Sequence, residues 1–245
     1  MTSRLIKPSF AFSLVCLLFL SFPLQAQWNK GITGSGNIIE QNRNLSGFTG
    51  IKASSGVDVV IIQGNQDQVV VKADDNIADK ITTKIDGDAL IISVAQNTSI
   101  RNAKSFKVLV TVKNLKNLTA SGGSDVFSEG TLSFESLNIK ANGGSDIKMD
   151  LNTQDLICEI HGGSDAKLEG TTKYLIVEAF GGSDFEGKGL KAENGKLKVS
   201  GGSDAYIHVT GELSMEASGA SDIHYMGNPK ITYQRSSGGS DIYGN

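Results

Sequence analysis

The sequence predicts an all-β fold, a right-handed parallel β-solenoid (β-helix), from a recurring four-residue motif and from the alternation of apolar and polar residues around it. Gly-Gly-Ser-Asp begins at Gly122, Gly143, Gly162, Gly181, Gly201 and Gly238, with the variant Gly-Ala-Ser-Asp at Gly219. Successive motif aspartates are 21, 19, 19, 20, 18 and 19 residues apart, a period that suits one coil of a solenoid. The right-handed sense follows the general preference of parallel crossover connections.

The residues on both sides of each motif alternate as in half-buried strands. The residue after each aspartate is apolar: Val126, Ile147, Ala166, Phe185, Ala205, Ile223 and Ile242. The residue after that is predicted to face solvent: Phe127, Lys148, Lys167, Glu186, Tyr206, His224 and Tyr243. A second inward column lies seven residues before the aspartate: Leu118, Ile139, Cys158, Val177, Leu197 and Met215. Each coil should therefore have two strands, joined by the motif at one corner and by a variable loop, such as residues 169–173, at the other.

The first 26 residues are typical of a secretory signal peptide. Arg4 and Lys7 precede an apolar run over residues 10–22, and Ala26 marks the cleavage point. Removing this segment leaves 21 of the 23 basic residues against 26 acidic ones, a formal charge of −5, so nucleic acid is not an expected partner. The mature chain has no predicted transmembrane segment. We expect export to the periplasm, the outer membrane surface or the medium.

Residues 27–115 are predicted to be an irregular β portion, either a cap or a small subdomain, and residues 116–245 the regular solenoid. Ala53-Ser54-Ser55-Gly56-Val57-Asp58-Val59 matches 120–126 at several positions and is a degenerate copy of the motif. The residues between the two should hold about three longer coils, with strands at 57–63, 68–73, 89–94 and 106–112. Residues 75–80 could form one helical turn capped by Asp75.

A resemblance to a known family is carried by the stretch Gly34-Ser35-Gly36-Asn37-Ile38-Ile39, followed by Arg43, Phe48, Ile51 and residues 56–60. This stretch resembles the opening of the bacterial family described as putative auto-transporter adhesin, head GIN domain, and the motif coils are similar to that family's repeats. The resemblance implies an exported β-helical protein without an established chemistry.

The motif itself has two interpretations. Two glycines, a small serine and an aspartate that accepts backbone hydrogen bonds make a competent tight turn. Stacking would also bring the carboxylates close together, and a bound Ca²⁺ could relieve their repulsion. The candidate calcium ligands are Asp125, Asp146, Asp165, Asp184, Asp204, Asp222 and Asp241. No other cofactor is predicted, and the three histidines form no recognisable zinc set.

Three functions remain open at this stage. The first is a non-catalytic binding or adhesion module of the cell envelope, whose ligand would be a glycan or another envelope component. Its candidate ligand-binding residues are Phe127, Tyr206, His224, Tyr243, His161 and Phe180, because aromatic side chains near polar groups can stack on sugars. The second is a structural envelope protein, and the third is a carbohydrate-active enzyme. Because solenoid ends expose strand edges, a homo-oligomer through the ends is also expected to be possible.

Overall fold

The computed structural model describes residues 31–245, and the predicted signal peptide lies outside them. The N-terminal strands are β1 (Ile32–Thr33), β2 (Ile38–Arg43), β3 (Gly50–Ala53), β4 (Asp58–Gln63), β5 (Gln68–Asp74), β6 (Ile81–Asp86), β7 (Ala89–Val94), β8 (Ile100–Arg101) and β9 (Phe106–Val112), with a 3-10 helix at Ala78–Lys80. The others are β10 (Asn117–Ser121), β11 (Val126–Asn142), β12 (Ile147–His161), β13 (Ala166–Phe180), β14 (Phe185–Gly201), β15 (Ala205–Val209), β16 (Glu212–Gly219), β17 (Asp222–Met226), β18 (Lys230–Gly238) and β19 (Asp241–Gly244). Within residues 31–245 no helix has the length and hydropathy needed to cross a membrane.

From β10 onward the coils stack in chain order with their strands parallel. Strands β10 to β14 each pair with the next one, and β14 then pairs with both β15 and β16. Strands β15 and β16 pair with β17 and β18, and β17 pairs with β19. Leu118 lies opposite Ile139, and Ile139 lies opposite Cys158. The predicted parallel β-solenoid is confirmed, while its hand stays a prediction.

The predicted inward columns form the core. Leu118, Ile139, Cys158, Val177, Leu197 and Met215 are all at most 2% exposed. In the column after the aspartate, Phe185 is fully buried between two alanines, Ala166 and Ala205. The large ring fits there because its neighbours in the column are small and because Gly187 leaves room beside it, where a Cβ would collide with the Phe185 ring.

In the coils of β11 to β14 the second corner is not a loop, so the prediction of a variable loop at residues 169–173 was wrong; in the later coils residues 210–211 and 227–229 do interrupt the strands. Strands β11 to β14 run through this corner as single strands of 15 to 17 residues. Residues 169–173 lie inside β13, where Glu169 pairs with Asp150 and Thr171 with Asn152. Gly170, with φ of +108°, lets the strand bend there while its pairing with β12 continues, although the register with β14 shifts between Lys167 and Gly170. A Cβ at this position would overlap the Leu151 carbonyl oxygen.

The N-terminal strands do not stack in chain order. The coil made of β3 and β4 lies between β7 and β9 on one side and β10 and β11 on the other, all parallel. Strands β6 and β5 pair antiparallel with the outer sides of β7 and β9, and β2 pairs antiparallel with β5. Residues 58–125 thus contribute one coil and antiparallel strands rather than the three coils expected. The predicted strands there are confirmed, and their buried residues belong to one core that continues into the regular coils.

A buried carboxylate ties the N-terminal turn to this part of the molecule. Asp74 is fully buried, and its Oδ2 accepts the Gly36 N–H at 2.7 Å while its Oδ1 accepts the Ser105 N–H at 2.9 Å. Burial acts to raise the pKa of Asp74, but these backbone donors outweigh it and the pKa lies below its ordinary value. The neighbouring Asp75 accepts the Ser35 hydroxyl at 2.5 Å. It does not cap the 3-10 helix, whose N-cap residue is Ile77.

Candidate binding surfaces

The motif serines lie inside the solenoid and satisfy the turns. They are 0% exposed, apart from Ser240 at 6%: Ser124, Ser145, Ser164, Ser183, Ser203, Ser221 and Ser240. Ser145 Oγ accepts the backbone N–H of Ser124 at 3.1 Å, and Ser203 Oγ accepts that of Ser183 at 2.9 Å. In both pairs the hydroxyl of one coil satisfies a turn N–H of the coil before it. In the degenerate turn Val57 stands in the serine position, and Ser124 Oγ has no hydrogen-bond partner within residues 31–245.

The motif aspartates form a second ladder beside the serines. Asp184 Oδ1 accepts the backbone N–H of Asp204 at 3.0 Å, and the same bond recurs with Asp125, Asp165, Asp204 and Asp222 as acceptors. The ladder begins in the degenerate turn, where Asp58 accepts the N–H of Asp125; burial, and after it the Asp125 carboxylate, raise the pKa of Asp58. The aspartates therefore have a structural role, because the side chain of one turn binds the main chain of the next turn.

The described residues contain no cluster of side chains that would support the calcium interpretation. Within residues 31–245 no three histidine, cysteine, aspartate or glutamate side chains come together in a way that could hold a metal ion. A calcium site on the aspartate column would have to draw on the second carboxylate oxygens and on turn carbonyls. Calcium binding by this column stays a prediction.

The outward column after the motif contains a stack of rings. The rings of Tyr206 and His224 lie 4.7 Å apart at 6°, and those of His224 and Tyr243 lie 4.9 Å apart at 15°. Lys188 Nζ covers the other face of Tyr206 at 3.8 Å from the ring centre. The sequence placed these residues in one column, but the parallel register also brings their faces together. Only the outer face of Tyr243 could receive a sugar ring without opening the stack.

The other predicted ligand-binding residues lie apart from this stack. His161 and Phe180 occupy adjacent coils before the motif, and their rings stack at 5.2 Å. Phe127 is 37% exposed and lines a groove of about 360 Å³ together with Lys148, Asp150 and other polar residues. The six candidates thus form two separate stacks and one isolated ring, not a single site.

A larger concave surface lies on the strands that precede the motif. Two adjoining cavities of about 460 and 490 Å³ share Ile176 and Lys196; Tyr174 and Thr232 line the first, and Ser214 and Tyr233 the second. We call this surface, made of Tyr174, Ile176, Lys196, Ser214 and Tyr233, the tyrosine trough. Tyr174 and Tyr233 are 47% and 49% exposed.

The trough follows from the register. Ile176, Lys196, Ser214 and Tyr233 occupy one outward position in four successive coils. Three coil steps separate Ile176 from Tyr233, about 14 Å at the usual strand spacing. Ser214 is the small residue of this outward column, and it lies between Lys196 and Tyr233.

The sequence carries a signal for this surface. Leu175-Ile176-Val177 breaks the alternation that defines the neighbouring columns, because Ile176 is apolar where a polar residue is expected. Ile157 breaks it in the same way one coil earlier. An apolar side chain in an outward column does not contribute to the core. Adjacent exposed apolar side chains of this kind are typical of a binding surface.

Cys158 offers no reactive group. It is fully buried in the inward column and forms no disulfide. Burial, and to a smaller extent the nearby Glu159 carboxylate, raise the pKa of the thiol well above its ordinary value. A nucleophilic thiol requires the opposite shift and access to solvent.

The chain is a parallel β-solenoid repeat protein. Its coils of about 19 residues stack on one another, with a serine and aspartate ladder at one corner and aromatic rings on the outer faces. The family model described as "Putative auto-transporter adhesin, head GIN domain" matches residues 47–229. The chain belongs to this family. No curated protein sequence matches the chain.

Solved structures share the whole fold. A crystal structure of a putative adhesin from Bacteroides fragilis has 26% identity and a TM-score of 0.79, covering 88% of this chain and 100% of that one. A putative adhesin from Parabacteroides distasonis has 18% identity and a TM-score of 0.70, covering 87% and 99%. A putative lipid binding protein from the same species has 19% identity and a TM-score of 0.70, covering 88% and 100%. The latter two support the fold alone.

Proposed function

We propose that the protein is an exported, non-catalytic binding module of adhesion type, which takes a glycan of the cell envelope or of a neighbouring surface in the tyrosine trough. The family description and the similarity to the B. fragilis adhesin support the adhesion role. The observation that carries the ligand class is the trough itself, where two exposed tyrosines line adjoining cavities that also contain polar side chains. The same family description supports an envelope or extracellular location.

The walls of the trough suit sugar rings. Tyr174 and Tyr233 project from a rigid sheet and are stacked on no other aromatic ring within residues 31–245. Aromatic side chains bind through an apolar face while the hydroxyl end stays in contact with water. With about 14 Å between the walls, a chain of several sugars would be needed to contact both.

The floor of the trough favours a neutral ligand. The first cavity is lined by Asn194, Lys196 and Glu212, which supply both hydrogen-bond donors and acceptors. Lys230 forms an ion pair with Glu212 at 2.9 Å, and Arg235 lies 3.7 Å from Glu216, so acidic and basic groups largely compensate each other here. Hydroxyl groups of a neutral glycan can use such a mixed floor, whereas a polyanion would meet an excess of only one positive charge, from four basic and three acidic groups.

The groove beside Phe127 is a second candidate surface. It combines an exposed ring with Lys148, Asp150 and Glu169. It is smaller than the trough and has one ring instead of two. We therefore propose the trough as the main ligand site. The variant Phe127→Ala tests the groove separately.

A non-catalytic role is supported by the aspartate ladder. A glycosidase needs two carboxyl groups with different environments, so that one stays protonated while the other is ionised. The motif carboxylates repeat one environment from coil to coil, and five of them already accept a backbone N–H. A purely structural role for the whole protein is the alternative, and it predicts no ligand.

The test is glycan binding by residues 27–245. An array of neutral and acidic glycans would identify a ligand, and calorimetry would give its affinity. Tyr174→Ala and Tyr233→Ala should each weaken binding about tenfold or less, because stacking contributes about 0.5–1.5 kcal/mol. Tyr243→Ala, at an equally exposed tyrosine outside the trough, tests the ring stack separately, and loss with this variant alone would move the site there. Loss with Phe127→Ala alone would move the site to the groove. A folded protein that binds no glycan would favour the structural role.

A further inference from the structure

We infer that the last coil is a self-pairing edge, through which two copies of the chain join with their β18 strands antiparallel and Gln234 at the two-fold axis. This goes beyond the proposed function, because it concerns assembly and does not depend on a ligand. It rests on a difference between the two ends of the solenoid, on the polar residues of the last coil and on the charges along β18.

The two ends of the solenoid are finished differently. At the N-terminal end, β6 and β5 cover the outer sides of β7 and β9 as antiparallel strands. At the other end, all nine residues of β18 are exposed, and its strand partner within residues 31–245 is β16. An exposed strand edge is a template for another strand. The first end shows that antiparallel strands fit on the edge of this solenoid.

Two of the inward positions of β18 are polar, whereas the exposed Ile231 lies opposite the buried Leu213. Gln234 follows the buried column that ends at Leu197 and Met215, and Ser236 follows the column that ends at Val199 and Ala217. The fully buried apolar core thus ends one coil earlier, and in the last coil Ile242 packs against it while partly exposed. Polar groups at this end keep an isolated copy soluble, yet they can still form hydrogen bonds with the same groups of a second copy.

The register follows from symmetry and charge. Pairing all nine residues of β18 with their mates places Gln234 opposite Gln234 of the second copy, where two amides can donate and accept reciprocally. Arg235 then lies opposite the second copy's Tyr233, and Lys230 opposite its Gly238. No like charges face each other in this register, whereas centring the pair on Arg235 would oppose two guanidinium groups.

Such a dimer would bring two tyrosine troughs onto one continuous face. Tyr233 and Thr232 form one wall of each trough and belong to β18 itself. Two troughs related by the two-fold axis would bind a long or repeated ligand more tightly than one trough does, without any new contact to it.

The experiment measures the molar mass of the protein and of variants that place charges at the two-fold axis. Residues 27–245 should show twice the monomer mass in light scattering coupled to size exclusion, at concentrations in the micromolar range or above. Gln234→Lys and Gln234→Glu should each be monomeric, because each places like charges across the axis. An equimolar mixture of the two should recover the dimer. Gln154→Lys, at an exposed glutamine far from β18 in the sequence, is the control and should remain dimeric.

Three results would overturn the inference. One is a wild-type protein that stays monomeric up to hundreds of micromolar. Another is a mixture of the two variants that recovers no dimer. The third is growth into polymers, which would indicate head-to-tail contacts in place of a two-fold pair. Thermal unfolding of each variant checks that the solenoid itself is intact.

Discussion

The carboxylate of Asp184 accepts the backbone N–H of Asp204 at 3.0 Å, so the side chain of one turn holds the main chain of the next. Asp184→Ala should lower the free energy of unfolding by about 1 kcal/mol, because it leaves the Asp204 N–H without its acceptor. Asp184→Asn keeps an acceptor oxygen and should cost less. Urea unfolding measures both, with Asp155→Ala, an exposed aspartate outside the motif, as control. An equal decrease in the free energy of unfolding in all three variants would show that the hydrogen bond from Asp204 to Asp184 does not stabilise the fold specifically.

Calcium should have little effect on this ladder. Five motif carboxylates already bind backbone N–H groups, and the described residues contain no third ligand nearby. We expect the same Tm for residues 27–245 in EDTA and in millimolar Ca²⁺. A rise of several degrees would instead show that the outer oxygens of the column bind the ion, and it would make adhesion calcium-dependent.

Asp74 should make the N-terminal part sensitive to acid. Its folded-state pKa lies below the ordinary value of 3.8, because backbone donors from Gly36, Ser105 and Lys104 favour the ionised form against burial. The stability it provides is therefore complete above about pH 4 and is lost as the pH falls through the lower folded-state pKa. Asp74→Asn should destabilise the protein at pH 7 and flatten the pH dependence of its stability below pH 4. A variant with an unchanged acid profile would contradict this role.

Cys158 should not react in the native protein. Its thiol is fully buried and its pKa is raised by burial. Residues 27–245 should therefore react with a thiol reagent only after unfolding, when one equivalent is expected, since Cys158 is the single cysteine of that segment. Rapid labelling of the native protein would show that this coil opens locally.

Two of the five tyrosines should ionise late. A hydrogen bond to Asp241, and then the charge of that carboxylate, raise the pKa of Tyr243. Burial and the carboxylates of Asp204 and Glu186 do the same for Tyr206. Asp241→Ala should lower the pKa of Tyr243 toward 10.0, which absorbance during alkaline titration would detect.

The sequence predicted most of the regular solenoid because one physical constraint repeats. A coil can bury its apolar face only against its neighbours, so Leu118, Ile139 and Cys158 must share a column, and the spacing of the motif reveals it. The place of β3 and β4 between later strands could not be predicted, because strand alternation does not encode which strand is the neighbour. Strand β13 continues through its corner because it bends at Gly170. A single glycine is the only sign of this bend in the sequence, so it could not be predicted.

The candidate surfaces were predicted less well than the core. Alternation correctly placed Tyr206, His224 and Tyr243 outside, but it could not show that their ring faces cover one another. The tyrosine trough depends on which outward residues the register aligns, such as the small Ser214 beside Tyr233. The shape of this surface is set by three or four aligned coils. It can be predicted only when the strand register is known, including the shifts at the β-bulges.

The place of β3 and β4 also gives the chain a direction of assembly. This coil leaves the ribosome early, yet both of its neighbours, β7 with β9 and β10 with β11, are synthesised after it. It can be enclosed only when residues up to about 129 are available, which requires loop closure over long separations. After that, each new coil adds to a finished template. The N-terminal part would thus act as the slow seed and the motif coils as rapid elongation, so losing the last coil should be tolerated far better than losing β3.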